Sequence, residues 1–489
     1  MVVAWGETKV GCRGRSCGPT VDGVNRRWIV ALLLVTAVGG ALRAREALSP
    51  HARQSADERS YVSVAIGLAD TGRYGKQSLH WPPGAPVAFA AAAKLSGRVV
   101  RGAAPDIPAA YWVQWLAGTA LIPLAFFLAV AAAGEARLGR ATTRDEAAAA
   151  PLVAAAAPAR ALFSAAPPRA LLAGLVGAAV VATYRPLIEA TGDLLSEPLG
   201  ALWLTASLLA LARRRYALAG VLLAAAVLTR ANLLVLIPVI AVLLGRRGGV
   251  FALAALVPVV AWSINVGAPV STGGGSSLFV GTFLPGGGTL PGAKRELKGE
   301  TIRFSPELRG RHAKDLPGER VLDAIAAREP GLDRDAALRH AALRNLATYP
   351  REQPGRFAAM MAGKAPRLWL GPARGGTRSS TGLRVWHLVL VILALAGVVR
   401  ARNRTMLAVL VAFTLFHLIA GAMPRYALPL LPALIATGAA GWLAQPRTTS
   451  MVRAYSAPLR RASISAGPPT PSASRIADRS EASSSAAPR

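Results

Sequence analysis

Two adjacent carboxylates, Asp57-Glu58, follow the first apolar segment of the chain. They head a stretch dense in reactive groups: Arg59-Ser60-Tyr61, then Gly72-Arg73-Tyr74, then His80-Trp81-Pro82-Pro83-Gly84. Like charges side by side raise one pKa, which helps a carboxylate trade protons near neutral pH. One of the pair can therefore act as a general base. The same residues also read as the start of an interfacial helix, with Asp57 as its cap and Arg59 as a surface counterion. His80 and Trp81 offer a substrate contact and an aromatic face, or else an aromatic anchor ahead of a proline-initiated interfacial helix.

Other charged groups interrupt apolar sequence further along. Asp193 and Glu197 lie in a short acidic loop, with Glu197 just before Pro198 at the head of an apolar run. Ionisable groups at membrane depth are costly and are usually functional or paired. An acid at a helix N-terminus is also favoured by the helix dipole alone. Arg230 breaks the pattern between Leu228-Thr229 and Asn232-Leu233, and Arg425-Tyr426 follows Met423-Pro424. Forked guanidinium donors at such positions suit a phosphate, or they simply snorkel to headgroups.

The elements that must position these residues are set by composition. The chain has 489 residues, 53% of them hydrophobic, and a mean hydropathy of +0.39. Its apolar runs are continuous rather than alternating, which predicts membrane helices and not a barrel. The net charge of +31 would suggest nucleic acid on a soluble protein. Here the arginines cluster at the ends of apolar runs, as the positive-inside rule expects, and no nucleic-acid partner is predicted. Cys12 and Cys17, the two cysteines, lack the partners needed for a metal site or a disulfide framework. No P-loop, dinucleotide fingerprint or HExxH is present, so nucleotide hydrolysis and zinc proteolysis have no support.

The predicted class is an all-α polytopic membrane protein with about ten transmembrane helices, external interfacial helices and a small external helical region. The predicted spans are 28–45, 109–133, 170–187, 197–212, 216–229, 231–244, 249–266, 384–399, 405–421 and 426–444. The first reads as a retained signal anchor. Residues 1–27 form a basic cytoplasmic tail. Residues 28–266 form an N-terminal membrane core, with a first external loop at 46–108 and a cytoplasmic linker at 134–169. Residues 267–383 form an external loop and helical subdomain, 384–444 the C-terminal membrane helices, and 445–489 a disordered cytoplasmic tail. Segment 84–97 is too short to span comfortably and reads as an interfacial helix. In the external subdomain, Gly273-Gly274-Gly275 and Gly286-Gly287-Gly288 read as loops, helices are expected near 319–328, 333–348 and 352–369, and Asp333 is a candidate N-cap.

Four pieces, in order, resemble the C-type polytopic glycosyltransferases, and most closely the bacterial relatives of protein O-mannosyltransferases and aminoarabinose transferases. They are the Asp57-to-Gly84 stretch, Ser196-Glu197-Pro198-Leu199, Gly220-Val221-Leu222 with Leu228-Thr229-Arg230, and Arg425-Tyr426-Ala427-Leu428-Pro429 with Pro432. The resemblance implies that Asp57 takes the proton from an acceptor hydroxyl, which attacks the anomeric carbon of a sugar as polyprenyl phosphate leaves. Arg230 and Arg425 are then the cations for the leaving phosphate. It further implies a polyprenyl-phosphate-linked sugar donor, a protein, lipid or cell-wall glycan acceptor, membrane lipids as surroundings, and a multi-pass location in a bacterial inner or plasma membrane. The assigned residues are Asp57 and Glu58 for catalysis, with His80, Trp81, Asp193, Glu197, Arg230, Arg425 and Tyr426 for substrate. No metal site is assigned; a carboxylate pair can bind a divalent cation or act alone, and the sequence requires none. The alternative is a multi-span transporter or lipid flippase using the same acids as ion sites.

Overall fold

Helices make up nearly all of the described structure. The computed structural model describes residues 21–49, 55–75, 79–102, 104–138, 166–371 and 381–443. These belong to the first of two units, Met1–Gln445. Most of the expected linker 134–169, the tail 445–489, and Cys12 and Cys17 lie outside the described residues. Among the described residues the only β pairing is an isolated bridge between Val100 and Asp106.

Five helical stretches are long and apolar enough to cross a membrane: Arg26–Ala47, Pro108–Gly134, Ala231–Val266, Thr381–Ala401 and Pro424–Leu443. A sixth candidate, Pro168–Thr183 with Arg185–Gly192, bends by 58°. Glu197–Ala212, Tyr216–Thr229 and Arg404–Ile419 are apolar but shorter. At 1.5 Å per residue they run about 21–24 Å, less than the ~30 Å of a hydrocarbon core. Length and composition alone thus support five to six of the about ten expected spans. The stretch Ala231–Val266 also does not run straight. Gly245 caps helix Leu236–Leu244 with φ 56°, and a Cβ on Gly248 would collide with the backbone of Ala241. The chain thus folds back there, giving Leu236–Leu244 and Gly248–Val266 as the two arms of a hairpin. The first helix spans Val21–Ala47, so it takes in residues expected to belong to the basic tail.

Small residues set how closely these helices pack. Helix Thr381–Ala401 packs on Leu431–Leu443, and there Gly397 lies directly against the backbone of Gly438 and Gly441. Gly39 of the first helix meets Ile122 and Ala182 in the same way. Without a hydrophobic driving force between helices in lipid, such close backbone approach supplies the van der Waals contact that holds a bundle.

Two polar segments cover one end of the bundle. In the first, helices Ala56–Thr71 and Gly84–Ser96 pack together, burying Tyr61, Val62 and Ala65 on one and Ala85, Phe89 and Ala93 on the other. This is the helix predicted at 84–97. In the second, helices Gly318–Ala326, Arg334–Glu352, Pro354–Ala362 and Lys364–Trp369 correspond to the three helices expected there. Asp333 caps Arg334–Glu352, its Oδ1 accepting from the amides of Asp335 and Ala336, both at 3.0 Å. Gly273-Gly274-Gly275 is not a loop but the start of helix Gly274–Thr282. Gly275 sits so close to the backbone of Asp335 that no side chain fits. The buried ammonium of Lys364 holds this segment to the bundle, donating to Gly281 O at 2.5 Å and Leu418 O at 2.6 Å. Burial pushes its pKa down to about 8.

Candidate active site

Three breaks in the helical pattern meet at one place. Residues 193–196 separate the bent Arg185–Gly192 arm from helix Glu197–Ala212. Arg230, extended at φ −145° and ψ 100°, ends helix Tyr216–Thr229 before a 3-10 turn. Residues 420–423 separate Ile419 from Pro424. Irregular backbone at membrane depth is tolerated only where protein buries it or it lines a cavity. These breaks, helix Ala56–Thr71 and helix Gly274–Thr282 surround a cavity of about 370 Å³.

The two adjacent acids have different fates. Ser55 caps helix Ala56–Thr71 with its hydroxyl accepting from Glu58 N at 3.2 Å, while Glu58 Oε2 accepts from Ser55 N at 2.6 Å. This is a capping box. The other oxygen, Glu58 Oε1, accepts from Leu194 N at 3.2 Å, which pins the loop leading to Glu197. Glu58 is buried and does not line the cavity. Backbone amides thus take both of its oxygens, as befits a structural role. Asp57 does line the cavity. Its Oδ2 pairs with Arg425 Nη2 at 2.5 Å.

Behind this pair is a second one, more deeply buried. Arg230 Nη1 lies 3.0 Å from Glu197 Oε1, with only 8% and 6% of the two side chains exposed. Arg230 also donates to Ser196 Oγ at 2.9 Å, and the Tyr61 hydroxyl lies 3.2 Å from the same oxygen. Gly200 makes room for the arginine, since a Cβ there would press on Arg230 Cδ at 2.8 Å. Both guanidinium groups approach the ring of Tyr426, at 5.7 Å for Arg230 and 5.8 Å for Arg425. Arg230 is buried and Arg425 half-buried, with 8% and 30% of their side chains exposed. Arg230 Nε and Arg425 Nε are both buried without a hydrogen-bond partner. Such unpaired donors are costly, and an anionic oxygen would satisfy them.

Aromatic groups form the wall toward helix Ala56–Thr71. Trp81 Nε1 donates to Ser60 Oγ at 2.6 Å, and its ring lies 4.4 Å from that of Tyr61. Burial pushes the hydroxyl pKa of Tyr61 up, which keeps it a hydrogen-bond donor. His80 lies edge-on to Trp81 and its carbonyl accepts from Ser271 Oγ at 2.7 Å, which joins the two polar segments at the cavity.

Of the predicted site residues, Asp57, His80, Trp81, Glu197, Arg230, Arg425 and Tyr426 line this cavity. Glu58 and Asp193 do not. The Asp193 carbonyl accepts from Gln114 Nε2 at 2.9 Å, so this residue helps hold the loop rather than facing the cavity. Residues not selected from sequence also line it, including Ser196, Asn232, Glu319 and His417. His417 Nδ1 lies 2.8 Å from Phe413 O, and Nε2 is 3.3 Å from Asn232 Nδ2. A donating Nδ1–H and an accepting Nε2 fit both contacts, an assignment made from the network. A lone histidine within an apolar run was the available signal. Among the described residues, no group of three or more His, Cys, Asp or Glu side chains is placed to hold a metal ion.

Burial lowers the pKa of His80, and Arg334 adds to this while Glu319, Asp57 and Asp335 oppose it. The unfolded chain, with an ordinary histidine near 6.5, therefore binds the proton more readily than the folded one. The stabilising contribution is present above about pH 6.5 and is lost as pH falls below it. We expect His80→Gln protein to unfold with a flatter dependence of Tm on pH below about 6.5. An unchanged pH profile would remove His80 from this role.

The helices and the cavity together define an all-α membrane protein with a charged cavity where helix breaks meet polar covering segments. No family model and no curated protein matches the chain. Among solved structures it is similar to ArnT from Cupriavidus metallidurans bound to undecaprenyl phosphate, with 16% identity, a TM-score of 0.33, and coverage of 85% of this chain and 77% of that one. The apo state of the same protein gives 15% identity and a TM-score of 0.31 at the same coverage.

Proposed function

We propose that this protein is an integral-membrane glycosyltransferase that moves a sugar from a polyprenyl-phosphate donor to an acceptor hydroxyl on the external face. The observation that carries this reading is the joining of Asp57, Glu197, Arg230 and Arg425 in one cavity, with an unpaired buried Nε on each arginine. A carboxylate beside two forked cations matches a reaction that removes a proton at one point and releases a phosphate at another. Asp57 takes the proton of the acceptor hydroxyl. The oxygen attacks the anomeric carbon, the bond from that carbon to the phosphate oxygen breaks, and its electron pair leaves on polyprenyl phosphate. Arg230 and Arg425 receive the developing charge, and the proton on Asp57 passes to solvent or to the departing phosphate. Tyr61 and Trp81 supply an aromatic wall for the sugar.

Mass analysis of cell-envelope lipids and glycans, with and without the protein, tests this reading. Loss of the protein is expected to leave a polyprenyl-phosphate sugar unused and one glycan or lipid lighter by a single sugar residue. Unchanged glycans, with a lipid or solute instead retained on one side of the membrane, would support a transporter and overturn the proposal.

A further inference from the structure

A second cavity lies at the opposite ends of the same helices. Helix Glu197–Ala212 runs from the charged cavity down to Ala212, Tyr216–Thr229 returns from Tyr216, and Arg404–Ile419 rises from Met406 to His417. At 1.5 Å per residue the two cavities stand about 20 Å apart. The second encloses about 150 Å³. Its wall carries Leu208, Leu211, Ile240 and Leu243 beside the polar Thr405 and Thr437, and its mouth carries Arg214 and Asn403. Leu243 is 46% exposed on the outside of the bundle, so the cavity borders the surface that lipid would cover.

Backbone conformation singles out this mouth. Among the described residues only two non-glycine positions have a left-handed backbone, Arg214 at φ 56° and Arg402 at φ 53°. Both follow the last turn of a helix. The amide of Arg214 bonds to Leu211 O and that of Arg215 to Ala210 O; the amides of Arg402 and Asn403 bond in the same pattern to Val399 O and Val398 O. This closing motif normally takes glycine, because a Cβ is disfavoured there. Elsewhere the chain does use glycine with positive φ to end its helices, at Gly72, Gly97, Gly245 and Gly267. Arginine replaces it twice, once at a residue lining this cavity and once next to Asn403, which also lines it.

Two of the three stretches that line this cavity are free of acids, while the third, helix Pro108–Leu138, carries Glu135 one turn beyond Ala132. Neither the run from Pro198 to Arg295 nor that from Gln353 to Leu443 contains an aspartate or glutamate. Arg214 and Arg402 are exposed and make no side-chain hydrogen bond or ion pair among the described residues. A third cation, Arg247, reaches Tyr216 at the cavity wall, with Nη1 donating to its hydroxyl at 3.0 Å. A basic mouth over a slot between helices has the chemistry of a phospholipid site, with the phosphate held by the guanidinium groups and the acyl chain against leucine and isoleucine.

We infer that this cavity binds an anionic phospholipid, held at the membrane face opposite the charged cavity, and that this ligand is why arginine stands where glycine would be cheaper. The test uses the full-length protein in detergent micelles, titrated separately with dioleoyl-phosphatidylglycerol, dioleoyl-phosphatidylcholine and inorganic phosphate while Tm is followed. Phosphatidylglycerol is expected to raise Tm of the wild type more than either of the others. The variant Arg214→Gly/Arg402→Gly relaxes both backbone positions, so its Tm without lipid should be equal or higher. Its apparent affinity for phosphatidylglycerol should fall about 30-fold, as expected for two lost cations at a lipid surface. An undiminished response in this variant would overturn the inference. So would equal responses to phosphate and phospholipid, which would leave the slot unused. A lower Tm without lipid would also overturn it, because the arginines would then be paired within the protein itself.

Discussion

Asp57→Asn protein, folded and inserted normally, is expected to transfer sugar about 100- to 10,000-fold more slowly than the wild type, the usual contribution of a general base. The substitution changes little else. Asparagine has the same size, and its carbonyl oxygen can still accept from Arg425, which now pairs with Asp57 Oδ2 at 2.5 Å. What it cannot do is take a proton. The neighbouring acid provides the control. Glu58 closes a capping box, and that motif accepts glutamine as well as glutamate. Glu58→Gln protein should therefore keep its rate within roughly threefold, consistent with a helix-capping role worth about 1 kcal/mol. Rates for single turnover with both substrates saturating would separate the two residues. Equal losses in both variants would mean that the carboxylates act as a pair, contrary to the division of roles proposed for them.

The second large effect concerns stability. Arg230→Met leaves Glu197 buried without its cation and is expected to cost about 3–5 kcal/mol, as removal of one member of a buried pair usually does. The cost follows from the 3.0 Å pair and its 8% and 6% exposures, with Ser196 unable to replace a charge. Glu197→Gln alone should also destabilise, since it leaves the guanidinium, already short of a partner at Nε, without its carboxylate. Combining both changes should recover much of the loss, because a desolvated charge no longer remains. Denaturant unfolding of the two single variants and the double variant in detergent gives this coupling directly. Additive losses would show that the pair is not what holds these side chains in place.

Much of this architecture was readable from local pattern. The limits of Glu197–Ala212 and Tyr216–Thr229 match the sequence expectation because Pro198, the Arg213-Arg214-Arg215 cluster and Arg230 mark their ends. The short helix Gly84–Ser96 was also visible, since Pro82-Pro83 start it and its length forbids a span. What local pattern does not contain is pairing at a distance. Asp57 and Arg425 stand 368 positions apart, and no periodicity links them. The capping box from Ser55 to Glu58 was legible in principle, but the adjacency of two acids drew attention to Asp57 as the cap instead. Gly275 shows the same limit of local pattern. Glycine signals a turn when only its backbone freedom is considered, whereas here it permits close approach to Asp335. His417 stands inside an apolar run, where an ionisable group is a functional signal in itself.

One measurement bears most directly on the proposed chemistry. The purified protein would be supplied with the polyprenyl-phosphate sugars extracted from cells that lack it, labelled in the sugar, together with envelope extract from the same cells as acceptor. Label is expected to appear in the acceptor in step with release of free polyprenyl phosphate, and to remain on the lipid when Asp57→Asn protein is used. Intact labelled lipid at the end of the reaction, or transfer that proceeds equally well with Asp57→Asn protein, would contradict the proposed role of this cavity.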